Sequence, residues 1–194
     1  NDNGANIVAQ IALRGNGIIM AWQGTVNPFA FRPSWNAIKD LPWAEQKAKL
    51  LDPAFKKQLL SEANDYSEAP MDIIGVVMVI TQGWALQYEM DPDFDYEPDE
   101  TASVNARAQA AGVSPQEYAY DMLCREDATG FIYLPILNYA DGNLDFLHPL
   151  QHADDTVNSL SDGGAHCGTI CDAASPTYMH EHRVRDRKRG DRIS

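Results

Sequence analysis

The run Ile7–Leu13 (IVAQIAL) is short, apolar and rich in β-branched residues, which predicts a buried strand. Gly15, Gly17 and Gly24 punctuate the next stretch, and Trp22–Arg32 reads as loop. Ser34–Ile38 predicts a single helical turn. Pro42 stands at a first-turn position for a helix reaching about Leu51. Asp52-Pro53 then restarts a helix as N-cap and first residue, with Phe55, Leu59 and Leu60 on one face. The apolar run Ile73–Ile80 (IIGVVMVI) predicts a second strand, with Gly75 marking a bulge.

Residues Glu89–Glu100 crowd carboxylates among prolines and aromatics and predict a solvated acidic loop. A helix over Thr101–Ala111 is expected to stop at Gly112. Ser114-Pro115-Gln116-Glu117 is a capping box with proline at the first helical position, opening a helix to about Arg125. Phe131–Leu137 (FIYLPIL) predicts a third strand, in which Pro135 calls for a bulge or a strand end. Asn143–Leu150 reads as a short helix and Thr156–Leu160 as the last strand. Strand, helix, strand in this order is the pattern of a parallel crossover.

Composition narrows the class. At 194 residues the chain can bury a sizeable core, but a complete (β/α)8 barrel takes roughly 250. Hydrophobic content of 44% and charged content of 22% are those of a globular protein. The net charge of −13 argues against a nucleic-acid partner. Cys124, Cys167 and Cys171 form no paired framework, which fits a reducing, cytoplasmic setting. The longest apolar stretch is far short of the roughly 20 residues of a membrane span, so no membrane partner is expected.

Candidate chemistry gathers after the last strand, in Leu160-Ser161-Asp162-Gly163-Gly164-Ala165-His166. A strand holds a carboxylate at its end still, and paired glycines let a substrate or metal approach the backbone. The C-terminal ends of parallel strands are where such folds place their chemistry. Asp-Gly is equally a common turn pair, so these residues alone leave both readings open.

The wider segments resemble a known family. Leu137–Asp145, Ser161–His166 and Ile170–Thr177, with the weaker markers Pro28-Phe29, Pro33-Ser34-Trp35 and Asp95-Tyr96-Glu97-Pro98, resemble the N-acyl-D-amino-acid deacylase (D-aminoacylase-like) branch of the metal-dependent amidohydrolase superfamily. The resemblance runs from about Ala9 to Arg189 and is most specific around Asp162. It implies an α/β fold: the last strands of a partial (β/α)8 TIM-type barrel carrying a mostly helical insertion. Residues 1–23 would hold a barrel strand, 24–112 the insertion and 113–194 the C-terminal barrel segment. Ile7–Leu13, Phe131–Leu137 and Thr156–Leu160 would be the last three barrel strands.

By the same resemblance, Asp162 would be the catalytic carboxylate that handles the proton of a zinc-bound water and touches the metal. His166, Gly163, Gly164 and Asn138 would bind a small-molecule amide substrate. The family also needs a His-x-His pair on its first barrel strand and further metal ligands from middle strands. No histidine precedes His148, so the expectation is the C-terminal part of a catalytic domain, inactive and free of catalytic zinc alone. A non-catalytic α/β ligand-binding or interaction domain is the alternative.

Other clusters read more plainly. His166 with Cys167 and Cys171 lacks a fourth zinc ligand and reads as a packed loop. Asp91, Asp93, Asp95 and Glu97 imitate half a calcium loop, but Tyr96 and Ala102 stand where glycine and glutamate are required. His180-x-His182 reads as incidental without a carboxylate partner. The basic tail Arg183–Arg192 reads as a solvated or frayed helix, with phosphate binding as the functional option. Asn138, Asp141 and Asn143 follow a strand, where either substrate contact or a turn explains them. Three strands cannot close a barrel, so open edges predict a homo-oligomer.

Overall fold

In a computed structural model, residues 7–139, 142–159 and 174–193 are described. They form a mixed α/β structure with small sheets and no closed barrel. The chain divides into two compact units: Asn1–Ile18, Asp95–Asp99 and Pro135–Ser194 in one, Ile19–Phe94 and Glu100–Leu134 in the other. No helix among the described residues is long and apolar enough to cross a membrane.

In the first unit, β1 (Ala9–Ala12) pairs in parallel with β5 (Thr156–Ser159), from Ala9 opposite Thr156 to Ala12 opposite Ser159. The short helix α8 (Leu147–Gln151) precedes β5. Its core is Leu13, Leu144, Leu147 and Tyr178, with Ile11, Tyr139 and Met179 packed against it. A parallel pair is normally covered on both faces. Here Ile7 and Val8, on the chain entering β1, are 64% and 53% exposed, so the complete burial expected of Ile7–Leu13 is not seen.

The second unit is mostly helical. Helices α1 (Pro33–Asn36), α2 (Trp43–Leu50) and α3 (Pro53–Ser61) start at prolines or directly after one. Asp52 caps α3, its Oδ1 accepting from the Ala54 N–H at 2.8 Å. Ser103 Oγ caps α5 (Val104–Ala111) in the same way at 3.2 Å, and Gly112 ends that helix at φ +71. Ser114 Oγ accepts from the Glu117 N–H at 3.1 Å at the start of α6 (Pro115–Leu123). The reciprocal half of the capping box is replaced by an ion pair, since Glu117 reaches Lys56 on α3 at 3.2 Å. An aromatic cluster fills the interior: Trp22 lies 5.4 Å from Phe29, 5.1 Å from Trp35 and 5.4 Å from Tyr120, ring centre to ring centre.

Three expectations are corrected. Ile73–Ile80 is a helix, not a strand: a 3₁₀ turn over Met71–Ile73 leads into α4 (Ile74–Gln82). A short continuous apolar run fits a buried helix as well as a strand, and here Val77, Ile80 and Thr81 face inward at helical spacing. The buried Gln87 secures its end, its Nε2 donating to the Val79 and Ile80 carbonyls at 3.0 and 2.8 Å. The second correction concerns α6, which stops at Leu123. The short α7 (Arg125–Ala128) comes next, with Glu126, Asp127 and Ala128 at φ 46, 69 and 68.

The third correction is topological. β4 (Phe131–Leu137) has the boundaries the sequence predicts, but it lies between β2 (Asn16–Met20) and β3 (Tyr88–Met90) in a separate sheet. It runs antiparallel to β3, with Glu89 opposite Ile132, and so does not stand beside β5 as the crossover pattern requires. The short strands β2 and β3 fall where the sequence reads punctuated loop and acidic loop.

Close packing yields a stability prediction. A Cβ on Gly130 would press on the Met122 carbonyl oxygen and come within 3.0 Å of Leu123 Cα, whereas one on Gly75 would meet nothing within 4 Å. Gly130→Ala is expected to destabilise by about 1–3 kcal/mol, as overpacking does. Gly75→Ala should leave stability unchanged or raise it by up to about 1 kcal/mol. Urea unfolding of both variants checks the contrast.

Candidate functional site

The foremost candidates of the sequence, Asp162, Gly163, Gly164 and His166, lie outside the described residues, as do Asp141, Cys167 and Cys171. What is described is the frame on either side of that segment. Upstream stands β5, hydrogen-bonded into the parallel pair with β1. Downstream, α9 (Ser175–Tyr178) runs directly into a π-helical stretch over Met179–Asp186.

That downstream helix is held by a buried carboxylate. Glu97 is 1% exposed, and four donors converge on it. Arg187 Nε donates to Oε2 at 2.7 Å and Nη2 to Oε1 at 2.9 Å, a two-pronged pairing. The Leu144 N–H donates to Oε1 at 3.0 Å, and His182 Nε2 lies 3.1 Å from Oε2. Arg187 also reaches Asp145 at 2.5 Å, and Arg189 Nη1 donates to the Glu97 carbonyl at 3.0 Å. Tyr178 stacks on the His182 ring at 5.1 Å, and Tyr96 meets Tyr178 edge-on at 4.8 Å. Gly190, at φ +73, sits where a Cβ would press on Asp145 and the Arg187 guanidinium, so the chain can fold over Arg187 only without a side chain there.

Burial pushes the Glu97 carboxyl up. The hydrogen bonds from His182, Arg187 and Leu144, with the Arg187 charge, outweigh it and hold the group at about 2. Burial likewise lowers Arg187, but Glu97 and Asp145 together raise it above the ordinary guanidinium value. Both Glu97 oxygens are committed to donors, so this carboxylate is a strut and not a free base. It ties together the residues around Glu97, the turn at Leu144-Asp145 and the C-terminal helix.

These contacts overturn three expectations. The acidic stretch is not solvated throughout, because Glu97 turns inward. Nor is the basic tail a frayed end, since Arg183 and Arg187 are among the largest fully buried side chains. His180-x-His182 is not incidental either: His180 is exposed, while His182 packs against Glu97. Opposite charge in the acidic stretch and the basic tail was the available signal, but partners 85 and 90 residues apart leave no local spacing to read.

Asn138, the one described member of the sequence-based substrate set, directly follows β4 at φ +60 and is half-buried. Asparagine tolerates this left-handed conformation better than most residues, so a backbone role accompanies any contact it makes. Asn143 acts as a turn residue, its Oδ1 accepting from the Asp145 N–H at 2.9 Å. Burial pushes the Cys124 thiol up to about 11, which leaves it protonated and inert near neutral pH.

Comparison with known protein families, curated proteins and solved structures finds no match for this chain.

The Glu97 strut has a defined pH signature. Its folded pKa lies below the ordinary glutamate value, so its contribution is complete above about pH 4.5 and is lost as pH falls toward about 2. Glu97→Gln leaves Arg187 buried with its main partner gone, which should cost about 3–5 kcal/mol at pH 7. Urea unfolding of both proteins between pH 7 and pH 2.5 should show the gap narrowing as pH drops. A gap that does not change with pH would mean the carboxylate charge is not what holds the helix.

Proposed function

We propose that this chain is the C-terminal part of a metal-dependent amidohydrolase that cleaves the amide of N-acyl-D-amino acids or similar small amides. The observation that supports this reading is the parallel pairing of β1 with β5. Both are strands the family resemblance assigns to the barrel, and the Ser161–His166 sequence comes directly after β5. A carboxylate three residues beyond the end of a parallel strand has the placement that parallel α/β enzymes use. The support is confined to these two strands, because β4 pairs antiparallel with β3.

In this reading Asp162 takes a proton from water as the water oxygen bonds to the amide carbon. It returns that proton to the nitrogen as the C–N bond breaks, acting as general base and then general acid. Gly163 and Gly164 admit the substrate to the backbone, and His166 donates a hydrogen bond to its carbonyl or carboxylate.

Zinc in this superfamily polarises the scissile carbonyl and makes bound water acidic. Among the described residues no three His, Cys, Asp or Glu side chains lie together in a way that could hold a metal ion, and Asp162 lies outside them. A catalytic zinc ordinarily takes three protein ligands.

Two measurements test the reading. After dialysis the 194-residue chain should hold well below stoichiometric zinc by elemental analysis and show no turnover of N-acetyl-D-amino acids. Bound zinc together with turnover would contradict the assignment as an incomplete site. In a parent polypeptide that supplies the metal ligands, Asp162→Asn should lower kcat by about 10²–10⁴-fold with little change in substrate binding. Retention of more than about half of kcat would reduce Asp162 to a turn residue.

A further inference from the structure

Arg183 is enclosed, at 0% exposure, and only part of its guanidinium is satisfied. Its Nη2 donates to Gln151 Oε1 at 2.8 Å, while Nε and Nη1 are buried with no hydrogen-bond partner among the described residues. A buried cation without a counter-charge is costly, and each unmade N–H bond adds to that cost.

Neighbouring carboxylates do not meet the need. Both Glu97 oxygens are taken by Arg187, His182 and the Leu144 N–H, and Asp145 is bound to Arg187. Among the described residues, Glu97 and Asp145 are both bound to Arg187, and Arg183 has no carboxylate within hydrogen-bond distance. Burial and the adjacent Arg187 charge pull Arg183 below the ordinary guanidinium value, against weaker support from Tyr178, Glu97 and Asp145.

Its position in the first unit adds a second observation. Gln151, the residue Arg183 holds, donates its Nε2 to the Leu13 carbonyl at 3.4 Å. Leu13 directly follows β1, whose last pair is Ala12 with Ser159 of β5. One side chain therefore separates Arg183 from the C-terminal end of the parallel pair, the edge at which such sheets bind ligands.

We propose that Arg183 is an anion-binding residue that receives the carboxylate of a small N-acyl amino acid at the C-terminal end of the β1–β5 pair. The ligand class rests on the amidohydrolase reading; the unpaired Arg183 donors do not. A carboxylate accepting from Nη1 or Nε satisfies these donors with a charge-assisted hydrogen bond. Because the side chain is enclosed, the ligand enters through local opening of the surrounding chain.

The experiment is equilibrium unfolding of the full chain, equilibrated with N-acetyl-D-alanine, sodium acetate or sodium chloride at matched ionic strength. N-acetyl-D-alanine and acetate should raise the wild-type midpoint saturably, as binding to the folded state does, and chloride should not. Arg183→Met should show no response and be at least as stable as wild type without ligand. Arg183→Lys, which keeps the charge but not the planar donors, should respond about tenfold more weakly. In wild type the Arg183 Nε–H resonance should shift with the same saturation midpoint, a readout that stands even if a variant fails to fold. An equal response to chloride, an unchanged response in Arg183→Met, or no response to N-acetyl-D-alanine overturns the proposal. Because binding is read on this chain without catalysis, its failure is separate from any failure of amide hydrolysis in a parent enzyme.

Discussion

Glu97 is the carboxylate on which the first unit's C-terminal half depends. At 1% exposure it has lost its hydration and has regained Arg187 in a two-pronged pair, His182, and the Leu144 N–H. A buried pair of this kind adds little net stability compared with apolar residues of similar volume, but removing one partner strands the other charge. Such a pair therefore specifies an arrangement more than it strengthens it. Here the arrangement is the docking of the π-helical stretch Met179–Asp186 against the turn at Leu144-Asp145 and the residues around Glu97. Tyr96, Tyr178 and His182 pack their rings around the same carboxylate, so the polar strut and an aromatic cluster reinforce each other.

This strut bears on the proposed function through the elements it anchors. Downstream, α9 and its continuation are fixed through His182, Arg187 and Glu97. Upstream, β5 is fixed through its hydrogen bonds to β1. In the sequence the segment with Asp162 and His166 lies between these two anchored elements, and the proposed catalytic role would need rigid supports on each side. Both Glu97 oxygens are committed to donors, so its role is positional. Arg183, on the same helix, differs in that its Nε and Nη1 are buried with no hydrogen-bond partner among the described residues.

Features with local causes were legible in the sequence. Asp52 and Ser114 cap the helices they were expected to cap, and Gly112 ends α5, because each effect is decided within four residues. The boundaries of β4 also come from its own apolar run. Features decided at a distance were not legible. Ile73–Ile80 carries strand-like composition, yet its burial against neighbouring elements selects the helix. β2 and β3 are short and owe their existence to β4, not to their own patterning. The Glu97 cluster joins partners 42 to 92 residues apart, where charge alone could not say which acid meets which base. Of the candidate site, Asn138 is described, and its left-handed backbone was not foreseeable from spacing.

Native-state hydrogen exchange, comparing wild type with Glu97→Gln at pH 7, tests the central claim most directly. If the carboxylate docks the C-terminal helix, amides of Met179–Asp186 and of the turn at Leu144-Asp145 should lose protection together in the variant. Amides of α5 and α6, in the other unit, should keep theirs. Unchanged protection over Met179–Asp186, or an equal loss across both units, would contradict the account.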